Sequence, residues 1–241
     1  VEQRGGLYIS GKFDYRRRSN SSDEPYAGIA TACRALCGQL LLLQEKDLYR
    51  EIQEQLQTKV ELPVLLKIIP ELEEIVSESS STSEREVEGP LSEAKNRIAH
   101  AFRQFIRIVC AFFPHLVLVL DDLQWADPAS LELLESLVAD SQVSNFMVLG
   151  CFRSNEVDET HLLSKMIRDL ADRKQQEDNL LQVTELTVGN LPVAQINEML
   201  VDLLSCDAEA TQGLAQICHK KTHGNVFFLI HYLSLLHDQE L

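Results

Sequence analysis

The sequence predicts an α/β fold in which helices flank a parallel sheet and a smaller all-helical part follows. Three observations predict it. Leu116 to Leu120 is a run of five aliphatic residues without a polar break, the pattern of a parallel-sheet strand buried on both faces. Phe146 to Phe152 is a second such run. The apolar residues between the two runs recur at helical spacing, so strand, helix and strand imply a right-handed parallel crossover. Only helical patterns remain from residue 189 onward, which divides the chain into 1–188 and 189–241.

Taken in order, Leu7-Tyr8-Ile9 is a short apolar run and reads as the first strand. Arg16 to Glu24 is polar and reads as a loop, with Arg16, Arg17 and Arg18 a solvated run. Pro25 opens a helix carried by Ile29, Cys33, Leu36, Leu40 and Leu43, and Leu48, Ile52 and Leu56 mark a second. Residues 77–90 are dense in Ser and Glu and lack apolar anchors, so a mobile loop is expected there. A long helix from about Ser92 to Phe112 turns Ile98, Phe102, Phe105, Ile106, Val109 and Phe113 to one side, and Pro114 ends it. Asp127-Pro128 supplies an N-cap followed by proline at the first helical position, and Leu131, Leu134, Leu137 and Val138 point inward from that helix. Val183 to Val188 reads as a last, weaker strand, and helices follow from Pro192, Asp207 and Asn225.

Composition narrows the function. The 241 residues include 37 acids against 22 bases, a formal net charge of -15, which argues against DNA or anionic lipid as the main partner. None of the six cysteines forms a CxxC pair or a zinc-type cluster with histidine, and Cys110 and Cys151 lie in apolar stretches that read as buried thiols. That usage suits a reducing compartment, so a cytoplasmic location is expected. No apolar run approaches the roughly 20 residues a membrane span needs. The chain starts at Val1 and ends inside a helical pattern, so it reads as a piece of something longer.

The chemistry concentrates where the first long aliphatic run ends, in Leu120-Asp121-Asp122-Leu123-Gln124-Trp125-Ala126-Asp127-Pro128. Ligands of parallel α/β sheets bind at the carboxyl ends of the strands. Two adjacent acids there are costly unless they meet a cation or act in catalysis. Mg²⁺ that keeps waters and phosphate oxygens needs only one or two carboxylates. On this reading Asp121 faces the metal and Asp122 orients or deprotonates an attacking water, the Walker B arrangement of a nucleotide hydrolase. The plainer reading is a strand-to-helix turn with Asp at its caps, a role Asp127 fills in any case. Gly6 to Lys12 fits GxxxxGK, but Phe13 stands where Mg²⁺ needs Ser or Thr, and Leu7-Tyr8-Ile9 reads as strand. It is therefore not taken as a phosphate-binding loop.

The segment around Asp121 resembles the LDDLQWAD Walker B signature of the signal-transduction ATPases with numerous domains, a branch related to the AAA+ proteins. Gly11-Lys12-Phe13-Asp14 with Pro25-Tyr26, and Ile69-Pro70-Glu71-Leu72, resemble further family segments. Gly150-Cys151-Phe152-Arg153-Ser154-Asn155-Glu156-Val157 resembles the sensor strand, and Lys221-Thr222-His223-Gly224-Asn225-Val226-Phe227-Phe228 resembles the lid motif, with Val226 in place of the usual proline. The resemblance implies a three-layer P-loop NTPase sandwich with a helical lid, using ATP and Mg²⁺. It implies that Arg153 senses the γ-phosphate and that Gly224 and Asn225 lie by the adenine. Paired with Glu156 or Asp158, Arg153 is otherwise an ordinary strand-end arginine, and Gly224 an ordinary helix C-cap.

The same resemblance places the phosphate-binding loop upstream of Val1, so an exposed sheet edge and uncovered apolar surface are expected of this chain. It implies a slow ATPase switch beside kinase or nucleotide-cyclase output domains in one polypeptide, with self-association possible. Two alternatives stay open: a nucleotide-independent oligomerisation scaffold, and a DNA-loading ATPase of the origin-recognition type, against which the acidic charge counts.

Overall fold

The computed structural model describes residues 5–15, 25–43, 46–76, 91–174 and 181–238. The expected loops at 77–90 and Arg16 to Glu24 lie outside them. The chain divides after Val183 into two compact units.

The first unit is α/β. Its strands β1 (Leu7–Lys12), β2 (Leu116–Asp121) and β3 (Phe146–Gly150) form one parallel sheet in the order β1-β2-β3. The register sets Ile9 beside Leu118 and Leu118 beside Val148. Helices α1 (Ala27–Leu41), α2 (Lys46–Lys59), α3 (Leu62–Leu66), α4 (Leu72–Val76) and α5 (Leu91–Phe112) fill the long connection from β1 to β2. Helix α6 (Pro128–Val138) joins β2 to β3, and α7 (Leu162–Lys174) follows β3. The predicted face of α5 is buried at Phe102, Phe105, Ile106 and Val109, with Phe113 just past its end, and that of α6 at Leu131, Leu134 and Leu137.

Side chains alternate across a strand, and the core takes only one set of them. Ile9, Leu116, Leu118 and Leu120 are buried with the helices. The opposite face carries Tyr8, Val117, Val119, Met147 and Leu149, of which Met147 is 58% and Leu149 45% exposed. The expectation that β2 is buried on both faces is thus corrected: its residues alternate between buried and half-buried. Cys151, expected to be buried, is exposed just past the end of the open strand β3, whereas Cys110 is buried on α5.

Two glycines bring α1 down onto β1. A Cβ on Gly11 would lie 1.9 Å from the Gly28 carbonyl oxygen, and one on Gly28 would lie 2.6 Å from the Phe13 ring. Helix α1 starts after Tyr26, which takes the left-handed conformation (φ 71°) while its N–H donates to Asp127 Oδ2 at 3.3 Å. Asp127 also caps α6 as expected, accepting from the Ser130 N–H at 2.9 Å.

The second unit holds α8 (Val193–Leu204), α9 (Ala208–Thr222) and α10 (Val226–Asp238) around Ile196, Leu200, Ala215, Cys218 and Leu229. The strand expected at Val183 to Val188 is not found, and residues 181–192 are neither helix nor strand. Leu186 is 80% and Val188 96% exposed, so these residues lack the packing that makes β-type composition into a strand.

Candidate functional site at the carboxyl end of the sheet

Parallel pairing brings the carboxyl ends of all three strands together, and the register sets Lys12 beside Asp121. The strand end is extended by single bonds: the Phe13 N–H donates to the Asp121 carbonyl at 3.1 Å, and the Cys151 N–H to that of Leu120 at 2.8 Å. Asp122 then turns the chain in the left-handed region (φ 55°), unusual for a residue with a Cβ, and leads into a short 3-10 turn at Leu123–Trp125.

Each acid has one oxygen occupied locally. Asp121 Oδ1 accepts the Asp122 N–H at 3.0 Å, and Asp122 Oδ1 accepts Gln124 Nε2 at 2.9 Å. The two remaining oxygens converge. Lys12 Nζ lies 3.0 Å from Asp121 Oδ2 and 2.9 Å from Asp122 Oδ2. The Asp122 side chain is 8% exposed, against 52% for Asp121. Burial pushes the Asp122 carboxyl up, but the hydrogen bonds from Lys12 and Gln124 and the charges of Lys12 and Arg153 together outweigh it and leave it below its ordinary value. The hydrogen bonds to Asp122 and Asp121 raise the Lys12 ammonium correspondingly.

Arg153 closes the other side. Its Nε lies 3.7 Å from Asp122 Oδ1, and its Nη1 is 3.1 Å from Glu156 Oε1. The pairing with Glu156 anticipated from spacing is therefore made, and Arg153 also reaches Asp122. Its guanidinium lies 5.3 Å from the Trp125 ring centroid, while Trp125 Nε1 donates to Glu156 Oε2 at 3.0 Å. The buried Gln124 ties both sides together, because its Oε1 accepts the Arg153 N–H at 3.3 Å. Sequence reasoning missed Lys12 and Gln124 as members of this cluster. The available signal was topological: a lysine ending one parallel strand stands beside the acids ending the next.

Gly224 and Asn225 belong to the second unit and have structural duties there. Gly224 has φ +77°, and a Cβ on it would lie 2.0 Å from the Leu191 carbonyl oxygen. The Leu191 N–H donates to the Gly224 carbonyl at 2.8 Å, and Asn225 Oδ1 accepts the Phe228 N–H at 3.2 Å, capping α10.

Gly6 to Lys12 does not form a phosphate loop, since residues 7–12 are strand β1. Among the described residues no group of three or more His, Cys, Asp or Glu side chains could hold a metal by itself. Two hard carboxylate oxygens aimed at one point instead suit Mg²⁺, which fills its remaining positions with water and phosphate.

A parallel α/β unit with its charged residues gathered at the carboxyl ends of the strands is the architecture of a P-loop-NTPase-like domain. The chain belongs to the AAA ATPase domain family, whose model matches residues 1–149. It is similar to hybrid signal transduction histidine kinase G of Dictyostelium discoideum, with 26% identity over 298 aligned positions covering 97% of this chain. The chain spans 8% of that relative's length. No solved structure matches it. No helix among the described residues is long and apolar enough to cross a membrane.

Proposed function

We propose that this chain is the acidic and sensor portion of an ATP-driven switch in a multidomain signalling protein. The observation that carries the reading is the convergence of Asp121 Oδ2 and Asp122 Oδ2 on a single cation at the end of the central strand. Asp121, the more exposed acid, would hold Mg²⁺ through water, and the ion would supply charge neutralisation for the phosphates. Asp122, kept ionised by its partners, accepts a hydrogen bond from the attacking water. Arg153, which lies beside Asp122, would answer a phosphate with its planar fork. The histidine kinase relative supports a signalling setting, and the switch would act on kinase or cyclase output domains in the same polypeptide.

The test is Asp122→Asn in the full-length protein. ATP turnover falls by about 100-fold or more while ATP binding persists. Unchanged turnover sinks the assignment of Asp122. A second reading, a nucleotide-independent scaffold, draws on the open apolar face at Met147 and Leu149. Oligomers that form equally with and without ATP would favour it.

A further inference from the structure

We infer that Lys12 is an exchangeable counter-ion of the acidic site, standing at the point where the divalent cation binds, so that the ion enters only by displacing it. The inference rests on the metal-facing reading of Asp121 and Asp122 and adds what keeps that site closed. Three observations carry it. First, the local bonds to Asp122 N and Gln124 Nε2 occupy one oxygen of each acid, so the oxygens left for a cation are the two Oδ2 atoms that Lys12 holds. A Mg²⁺ ion that holds those two oxygens through its waters brings its charge and its donating waters to the position of the ammonium, and two cations side by side repel, so only one occupies the site at a time. Second, Asp122 is 8% exposed, and taking a partner from a nearly buried carboxylate is destabilising, so the departing ammonium is best replaced by another cation. Arg153 offsets part of this charge from the Oδ1 side at 3.7 Å while pairing with Glu156, so it leaves the two Oδ2 atoms to Lys12 or the incoming ion.

Third, the backbone is fixed while the side chain is free to leave. Gly11 is pressed against Gly28, and the Lys12–Asp121 register is locked by the ladder, so Cα of Lys12 stays in place. The side chain is 63% exposed, so swinging its ammonium outward meets water. Lysine suits this exchange because its compact, well-hydrated charge rides on a flexible stem, whereas arginine's broad fork stays where it pairs.

The experiment measures Mn²⁺ binding to the 241-residue chain by electron paramagnetic resonance, with no nucleotide present. Lys12→Met binds Mn²⁺ more tightly than the unaltered chain by on the order of tenfold, the factor expected when a charge-assisted hydrogen bond no longer has to be broken. Lys12→Arg gains nothing, and Asp121→Asn added to Lys12→Met removes the gain. A second measurement needs no variant: the acetylation rate of Lys12, followed by mass spectrometry, rises as Mn²⁺ saturates the unaltered chain. Equal affinities in a folded Lys12→Met chain, absence of Mn²⁺ binding to it, or an acetylation rate indifferent to Mn²⁺ would each overturn the exchange. Failure of the switch reading is distinguishable: it shows as absent ATP binding by the full-length protein with the Mn²⁺ behaviour intact.

Discussion

Asp140, just past the end of α6, has a side chain only 5% exposed, and both its oxygens are taken by Arg107 of α5. Arg107 Nε lies 2.7 Å from Oδ2 and Nη2 2.8 Å from Oδ1, a two-pronged pair that joins the helices. Burial pushes this carboxyl up, but the Arg107 hydrogen bonds, the Gln142 N–H and the charges of Arg107 and Arg103 together hold it below its ordinary value. A depressed carboxyl gives stability that is fully present above its unfolded value and is lost as pH falls through the folded one. Asp140→Asn therefore costs about 2 kcal/mol at neutral pH. The gap to the unaltered chain closes as pH drops below about 4, measured by urea unfolding across that range. At this scale the sequence is legible wherever the partner is near in the chain. Asp127 reads as a cap because Ser130 is three residues away, and Asp121 and Asp122 stand out because a strand delivers them together. Lys12 is hidden because its partners lie more than 100 positions away and only the sheet brings them close.

Among the elements, the seam between β1 and α1 is the least forgiving. Gly11 and Gly28 let backbone meet backbone, and a methyl group on Gly11 has nowhere to go, since the obstacle is a carbonyl rather than a side chain that can turn away. Gly11→Ala lowers stability by about 2–3 kcal/mol, seen as a lower Tm, and disturbs Lys12 next to it. Gly150→Ala is milder, because the atom it meets at 2.4 Å is the methyl end of Leu123. Existence and order of the long elements were readable from periodicity, which α5 and α6 follow closely. Coverage was not. Five aliphatic residues in β2 state that the strand is apolar, but which of its faces a helix covers depends on where α1, α5 and α6 come to lie. Val183 to Val188 has the composition of a strand without the packing of one.

For the whole molecule, the one-sided sheet sets the solution behaviour. Tyr8, Met147 and Leu149 form an apolar surface at the sheet's outer face, and patches of this kind promote association between copies. The net charge of -15 opposes it, so association strengthens as salt screens that repulsion. The paired substitution Met147→Lys and Leu149→Glu reduces self-association in sedimentation velocity while changing stability by less than about 0.5 kcal/mol, as expected for exposed positions. An unchanged sedimentation profile would place the association elsewhere.

Trp125 is the chain's single tryptophan, and its indole lies under the Arg153 guanidinium with its N–H on Glu156. The protein thus carries its own optical reporter, one fluorophore whose surroundings are the cluster itself. Intrinsic emission, excited selectively at long wavelength, follows the movement of one arginine in real time, without a dye, a label or any signal from elsewhere in the chain to subtract.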